Sequence, residues 1–397
     1  MTETPPHVHD VFPQAGLHDG LLVGRVWQPA AAGPTVVWLD RDGVFDLSPL
    51  SATMSGLLER PGLSRLRATF TREAPLCSLE NLIENSLRLR HGGTPPGPWL
   101  LAPCDLQVIK ACGVTFAASA LERVIEERTR GDPRLADEMR RTVTESLATD
   151  MGRIVPGSDA AAELKERMLA LNLWSQYLEV AFGSDAEVFS KASPLSAVGF
   201  GAEVGIHRRS TWNNPEPEVV LAVNSRGETV GASLGNDVNL RDFEGRSALL
   251  LGKAKDNNGA CAIGPAIRVF DATFTLDDVR GAEVALQIDG PEGFQSAGHS
   301  SMREISRDPL DLVGQTIGPH HQYPDGLMLF LGTLFAPVHD REGPGLGFTH
   351  RVGDRVTIRA PGFGSLVNWV NYSDAIPPWT FGIRELFSNL QQRGLLR

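Results

Sequence analysis

The chain has 397 residues, of which 42% are hydrophobic, and a formal net charge of −11 at pH 7. A chain of this length can bury a full core and usually divides into two or three units. The negative charge argues against nucleic acid or an anionic membrane as a main partner.

The sequence is typical of a cytoplasmic protein. Its first residues lack the basic and apolar regions of a signal peptide. Its longest apolar run, residues 327–335, is too short to cross a bilayer. The four cysteines are scattered without the CxxC spacing of metal or redox sites. We therefore expect reduced thiols, most of them buried.

Residues 1–100 are predicted to form a small β-rich N-terminal domain. Apolar runs at 21–27 and 35–39 lead into a turn at 40–43, which is the pattern of a hairpin. A Gly- and Pro-rich stretch at 92–98 predicts a linker. No residue pattern in this region indicates chemistry.

Residues 117–183 are predicted to be helical. Leu135, Met139, Val143 and Leu147 recur every fourth residue, after helix-start signals at residues 132–133. A second helix is predicted from residue 158, with apolar residues again along one side.

Three acidic residues follow in a strand-rich region that extends from 186 to 380. Glu216 and Glu218 are one residue apart before an apolar run, so their side chains leave the same face of a strand. A turn at 224–228 and a second strand lead to Asp237, which the hairpin can bring back to them. Three adjacent carboxylates repel one another unless a cation joins them, and oxygen ligands suit Mg²⁺ or Mn²⁺. The alternative is an exposed polar strand face.

The order of motifs resembles the core of the fumarylacetoacetate hydrolase superfamily. That family has the two acids before a strand and an Asn-Asp-Val-x-x-Arg-Asp segment, which here are residues 216–223 and 236–242. Other matching segments are 189–199, 252–253, 263–265, 326–333, 353–358 and 364–370. In all, the resemblance covers about residues 108–120 and 186–371.

The resemblance implies an α+β, mainly β fold. Residues 101–380 would form a mixed β roll catalytic domain, packed against the N-terminal domain (1–100) and followed by a C-terminal helix (381–397). The helices at about 117–183 would be an insertion, interpreted either as a lid or as a dimer contact or surface elaboration. The resemblance also implies a metal site of Glu216, Glu218 and Asp237 in a homodimer or homotetramer.

Residues 110–122 bear on the type of reaction. They resemble a family segment that reads Val-Gly-x-Asn-Tyr-x-x-His-x-x-Glu, with Ser119 at the histidine and Glu122 at the glutamate. In the hydrolase branch the His-Glu pair activates the attacking water. A serine hydroxyl is far too weak a base for that role near neutral pH. The departure argues against carbon–carbon bond hydrolysis and leaves the metal site intact.

This combination resembles a smaller branch that dehydrates 2-keto-3-deoxy pentonates. Its members convert 2-keto-3-deoxy-D-xylonate, also called 2-keto-3-deoxy-D-arabinonate, to 2,5-dioxopentanoate in pentose sugar acid catabolism. By this resemblance the chain is a Mg²⁺-dependent hydro-lyase in which Glu122 and Lys253 are general acid and base, in either order. The residues expected to contact the substrate are Ser119, Lys191, Arg241 and Thr333.

Plainer roles and other functions are also compatible with the sequence. Glu122 could be a surface acid, Lys253 a solvated strand end, and Arg241 a structural ion-pair partner of Asp242 or Glu244. A carbon–carbon hydrolase of acylpyruvates or fumarylacetoacetate-like diketo acids is the runner-up. A non-catalytic sugar-acid binding protein is the third possibility, disfavoured by the complete set of acids with Lys253 and Glu122. Each alternative has a small-molecule partner.

Overall fold

The computed structural model describes most of the chain. The described residues are 6–91, 94–130, 132–136, 138–139, 141, 154–170, 172, 174–337, 339–344 and 346–396. Within them the architecture is mixed and rich in strands, which confirms the predicted α+β, mainly β class. No helix in these ranges is both long enough and apolar enough to cross a membrane.

The strands of the described residues form one large sheet, one five-stranded sheet and one short pair. Their bounds are β1 Leu22–Gln28, β2 Gly33–Asp40, β3 Gly43–Asp46, β4 Trp99–Leu101, β5 Val108–Cys112, β6 Val188–Ala192, β7 Glu203–Ile206, β8 Asn213–Asn214, β9 Pro217–Val223, β10 Thr229–Asp237, β11 Asn239–Leu240, β12 Cys261–Val269, β13 Glu283–Asp289, β14 Gln295–Ser301, β15 Leu327–Phe330, β16 Arg355–Ala360 and β17 Gly364–Tyr372.

The helices are short, and the longest of those described has 13 residues. Numbered along the described residues, they are α1 Val8–Val11, α2 Gln14–His18, α3 Met54–Leu58, α4 Leu66–Thr69, α5 Leu79–Arg88, α6 Ala117–Thr129, α7 Asp159–Ala170, α8 Gln176–Phe182, α9 Arg241–Glu244, α10 Leu251–Lys255, α11 Leu276–Arg280, α12 Pro309–Thr316 and α13 Ile383–Gln392.

The large sheet joins the two sides of the predicted domain boundary near residue 100. Its order is β3-β2-β1-β12-β10-β9-β15-β5-β6, and β4 pairs with β1. The predicted N-terminal hairpin is present as β2 and β3, which pair antiparallel. Because β1 also pairs with β12, the strands of residues 22–46 continue the sheet that carries the three acids.

The five-stranded sheet packs over one face of the large sheet. Its order is β14-β13-β16-β17-β7. Buried residues of both sheets, such as Leu221 and Leu234 from the large sheet and Ile358 and Leu366 from the smaller one, belong to a single apolar core. The run 217–223 is buried on both faces, which explains why it lacks the alternating pattern of a half-exposed strand.

The predicted helical region contains α6, α7 and α8. Their apolar faces form a core of their own around residues such as Val124, Leu164 and Leu178. At the predicted helix start, Pro133–Leu135 form a short 3-10 helix, and the Asp132 side chain accepts a hydrogen bond from the backbone amide of Arg134. Val143 and Leu147, on which the periodicity also rested, lie outside the described residues. The C-terminal helix is present as α13.

The four cysteines are unpaired, as expected of reduced thiols. Cys104, Cys112 and Cys261 are buried, and Cys77 is partly exposed. Burial raises the pKa of Cys77 to about 11 and that of Cys104 to about 12, so neither thiol is ionised near neutral pH.

Asp354 is a buried carboxylate that fixes the loop before β16. Arg341 donates from both terminal nitrogens to its two oxygens, at 2.6 and 2.7 Å. His350 Nδ1 lies 2.9 Å from Oδ2. Burial acts to raise the pKa of Asp354, but Arg341 and His350 outweigh it and hold the pKa at about 2.

We expect Asp354→Ala to lower the free energy of unfolding by about 3–5 kcal/mol at pH 7, because it leaves the buried Arg341 guanidinium without this partner. The carboxylate's stabilisation is complete above its unfolded pKa of about 3.9 and is lost as pH falls through the folded value. The difference between the variant and the natural chain should therefore be smaller at pH 3. Urea unfolding at both pH values measures it, and an equal difference at pH 3 and pH 7 would contradict the account.

Candidate active site

The β9–β10 hairpin brings the three predicted acids together. In its turn, Asn224 Oδ1 accepts the backbone amides of Arg226 and Glu228, and Gly227 adopts a φ of +79°. In the resulting register the amide of Asp237 donates to the carbonyl of Glu216 at 3.0 Å. One carboxylate oxygen from each of Glu216, Glu218 and Asp237 lies within 4.8 Å of the others, and all three residues are buried.

The room between these acids depends on the residue opposite Glu218. That cross-strand position is Gly235, which has no side chain to compete for the space. A Cβ atom there would lie 2.3 Å from the Phe330 ring of β15, so packing across the sheet also requires glycine at this position. On its other side, Glu218 accepts hydrogen bonds from the amide of Gly332 at 2.7 Å and from Thr333 Oγ1 at 3.1 Å.

Two buried lysines contact the acids. Lys191 Nζ lies 2.7 Å from Asp237 Oδ1, on a side chain with no exposed surface. Lys255 Nζ contacts Glu216 Oε2 and lies 3.0 Å from Asp237 Oδ2. The carbonyl of Lys255 accepts a hydrogen bond from Lys191, so Lys191 also fixes the segment that carries Lys255.

The structure brings Lys255 into contact with the acids, whereas the sequence-based assignment named Lys253. Lys253 is exposed, whereas Lys255 is 2% exposed. Both belong to α10, where residues two apart lie on nearly opposite sides of the helix. A strand end was the plainer alternative for Lys253, and on a strand the two lysines would have shared a face.

Arg123 connects helix α6 to the acids. It donates from Nη2 to Glu216 Oε1 at 2.8 Å, and its Nη1 lies 2.6 Å from both Glu126 Oε2 and Glu244 Oε2. Glu126 also accepts Arg241 Nε at 2.6 Å. Arg123 and Glu126 were not singled out in the sequence, although Glu126 lies four residues after Glu122 on the same helix face.

Arg241 is part of this ion-pair network. Its side chain is 2% exposed and also pairs with Glu122 at 2.7 Å, while its guanidinium stacks on Trp212 at 4.2 Å. Arg241 therefore forms a buried ion pair, although not with Asp242 or Glu244, the partners expected for its plainer role, and its predicted substrate contact stays a prediction. Its acidic partners are Glu122 and Glu126, four residues apart on α6.

Thr333 and Lys191 also contact protein carboxylates instead of facing an open cavity. Thr333 orients Glu218, and Lys191 orients Asp237. Ser119 is buried on the first turn of α6, at i−3 from Glu122 and i−4 from Arg123. Its predicted contact with a substrate stays a prediction.

The electrostatics of the site favour a bound cation. Burial, followed by repulsion from Asp237 and Glu216, raises the pKa of Glu218 well above its usual range. Burial also raises the pKa of Glu244 to about 7, against the attraction of Arg123. For Asp237 the effect of burial is outweighed by Lys191 and Lys255, which hold its pKa below the usual value. The positive side chains around Glu218 and Glu244 are therefore too few to offset the effect of burial on these two carboxylates.

The formal charges of the network lead to the same conclusion. Its six carboxylates belong to Glu122, Glu126, Glu216, Glu218, Asp237 and Glu244. Its four cationic side chains are Arg123, Lys191, Arg241 and Lys255. A formal charge of −2 remains, which one divalent cation neutralises. Carboxylate oxygens are also the ligands that Mg²⁺ and Mn²⁺ prefer, so the residues present fit such an ion.

A large cavity lies elsewhere in the structure, away from the three acids. A cavity of about 1100 Å³ lies between the N-terminal segment, α5 and the five-stranded sheet, lined by residues such as Asp10, Arg88 and Arg359. None of the three central acids lines it. The group of buried, mutually perturbed charges is a more specific signal of an active site than such a cavity.

Comparisons with known proteins confirm the predicted resemblance. The chain is 33% identical over 196 residues to a probable 2-keto-3-deoxyxylonate dehydratase from Haloferax volcanii, a match that covers 49% of this chain and 63% of that protein. It is 30% identical over 161 residues to the 2-dehydro-3-deoxy-D-arabinonate dehydratase of Saccharolobus solfataricus, covering 39% and 51%. The matched segments thus span less than two thirds of either relative. No family model matches the chain.

Solved structures share the fold. A 2-keto-3-deoxy-D-arabinonate dehydratase in its apo form superposes with a TM-score of 0.59 at 19% identity, over 88% of this chain and 99% of that one. The same enzyme complexed with magnesium and 2,5-dioxopentanoate gives 0.58 at 19% identity, over 88% and 99%. A fumarylacetoacetate hydrolase from Exiguobacterium antarcticum gives 0.51 at 15% identity, over 89% and 99%. The fold is therefore of the fumarylacetoacetate hydrolase type.

Proposed function

We propose that the chain is a Mg²⁺-dependent hydro-lyase that removes water from a 2-keto-3-deoxy pentonate and yields 2,5-dioxopentanoate. The observation that carries the proposal is the buried group of Glu216, Glu218 and Asp237, with a buried lysine in contact with two of them. The names of the two relatives support the substrate class. The magnesium and 2,5-dioxopentanoate bound to the solved dehydratase support the metal and the product.

Glu216, Glu218 and Asp237 would hold the ion. When bound, Mg²⁺ supplies a Lewis acid for the carboxylate and keto oxygens of an α-keto acid. Thr333 and the Gly332 amide fix the Glu218 carboxylate, and Lys191 fixes Asp237. The exposed fraction of each of the three acids is 3% or less, so bulk water is excluded around them.

The reaction needs one proton acceptor and one proton donor. A proton leaves carbon 3, the hydroxyl leaves carbon 4 as water, and proton shifts then give the aldehyde at carbon 5. Burial would lower the pKa of Lys255, but Asp237, Glu216 and Glu244 outweigh it and raise the pKa above its usual value. Lys255 lies in contact with two of the acids that would hold the ion, so we assign it the role of donor to the leaving hydroxyl. We assign the acceptor role to Glu122, whose carboxylate is held by Arg241 and is 13% exposed.

Product analysis tests this function. The purified chain with Mg²⁺ would be given both enantiomers of 2-keto-3-deoxy pentonate and, separately, an acylpyruvate, and the products would be followed by NMR. We expect one aldehyde-bearing acid from a pentonate and no cleavage of the acylpyruvate. Two carboxylic fragments from the acylpyruvate, with the pentonates unchanged, would identify a hydrolase. The enantiomer consumed would define the specificity at carbon 4.

A further inference from the structure

Arg123 forms ion pairs with three acids, and two of them lie outside its own helix. It belongs to α6, yet its guanidinium reaches Glu216 on the segment before β9 and Glu244 on α9. Within its own helix it pairs with Glu126, three residues on. Only 9% of its side chain is exposed. One buried guanidinium thus joins three elements of the chain.

The contact with Glu216 divides that carboxylate between two cations. Arg123 binds Oε1, and Lys255 binds Oε2. Arg123 on α6 therefore fixes the plane of the Glu216 carboxylate from its Oε1 side. The other oxygen, Oε2, is joined through Lys255 to Asp237. Arg123 is held in turn by Glu126, and Glu126 is held by Arg241, so rotation of Arg123 would break several buried ion pairs.

We propose that Arg123 is a positioning residue that orients Glu216 for the divalent cation and so links the metal affinity to the seating of helix α6. The inference rests on the proposed function, because it assigns Arg123 a task at the same metal site. Partners that orient a metal-binding side chain typically change metal affinity by about 10–100-fold when they are lost.

Charge and geometry must be separated to test this role. A guanidinium near a divalent cation repels it, so a neutral variant would weaken the orientation and remove the repulsion together. Arg123→Lys keeps the positive charge but replaces a planar fork of donors with a single ammonium, which cannot serve three carboxylates in the same geometry. A change in the Mg²⁺ affinity of this variant then reports a change in the orientation of Glu216.

The experiment is calorimetric titration of the full chain with MgCl₂ after chelator treatment. We expect Arg123→Lys to bind Mg²⁺ about 10-fold more weakly than the natural chain. Arg128→Lys is the matched control, because Arg128 is exposed on the same helix and bonds only the carbonyl of Asn172 among the described contacts. Thermal melts in chelator check that each variant is folded. If Arg123→Lys does not fold, Glu126→Asp replaces it, since it preserves charge and withdraws the carboxylate that holds Arg123.

Hydrogen exchange gives a second readout that a merely structural residue would not change. Coupling between two sites is reciprocal, so Mg²⁺ should increase the protection of amides in residues 117–129, and this gain should shrink in the variant. Unchanged Mg²⁺ affinity in a folded variant, or equal protection gains, would overturn the inference and leave the proposed function standing. A natural chain that binds no Mg²⁺ would overturn the proposed function itself.

Discussion

Glu218→Gln is expected to reduce the dehydration rate by at least about 10³-fold, because the loss of one charged ligand removes several kcal/mol of metal-based stabilisation. The glutamine is isosteric and can still accept the Gly332 amide that now donates to Glu218. The same substitution removes a buried charge that is repelled by Asp237 and Glu216. The melting temperature in chelator should therefore not fall. Rate assays and melts with and without Mg²⁺ measure both effects.

Glu228→Gln is the matched control for this variant. Glu228 lies in the turn of the same hairpin, but its side chain is 61% exposed and pairs with Arg226 at the surface. Surface ion pairs contribute about 0–1 kcal/mol, so the control should keep both its activity and its response to Mg²⁺. A Glu218→Gln variant with the natural rate and Mg²⁺ affinity would show that Glu218 is not a ligand.

Lys255→Met is expected to lower kcat by about 10²–10⁴-fold, which is the usual range for a general acid or base. Methionine fills a similar volume without the ammonium group, which lies 3.0 Å from Asp237 and contacts Glu216. Because the repulsion of that ammonium is removed, Mg²⁺ should bind at least as tightly as in the natural chain. Steady-state rates together with Mg²⁺ titration separate the two effects.

Lys253→Met is the control that distinguishes the two lysines of α10. Lys253 is exposed on the other side of the helix, so its replacement should leave kcat within about 3-fold, in the range expected for a surface substitution of up to 0.5 kcal/mol. A large loss with Lys253→Met and none with Lys255→Met would contradict the placement of the lysines in the structure.

The grouping of the three acids could be predicted from the sequence because its geometry is local. Glu216 and Glu218 belong to one strand, and a short turn at 224–228 fixes where Asp237 returns. Strand periodicity and one hairpin are enough to place all three acids. The fold class could also be predicted, since the motifs resemble those of a known family and occur in the same order.

The contacts around the metal site could not be predicted in the same way. Arg123 lies 93 residues before Glu216, and Lys191 lies 46 residues before Asp237, so only the tertiary fold brings them together. Lys255 was not identified because a five-residue helix gave no clear period in the sequence. Arg241 was identified as a site residue, but its buried partners are on α6, beyond the reach of local spacing.

The predicted boundary near residue 100 illustrates another limit. Composition marks a Gly- and Pro-rich break, yet strand pairing joins both sides of it into one sheet through β1 and β12. Sheet order depends on hydrogen bonds between distant segments, and linker composition carries no information about them. The division into domains therefore stays a prediction.

The most direct test of the central claim is the rate of 2,5-dioxopentanoate formation as a function of Mg²⁺. The chain would be treated with EDTA, given 2-keto-3-deoxy-D-xylonate, and coupled to a semialdehyde dehydrogenase so that NADH reports the product. We expect no 2,5-dioxopentanoate formation in chelator and saturable recovery of the rate when Mg²⁺ is added. The rate of Glu218→Gln should not recover. Turnover that persists in EDTA, or an absence of product at saturating Mg²⁺ from a folded chain, would contradict the central claim.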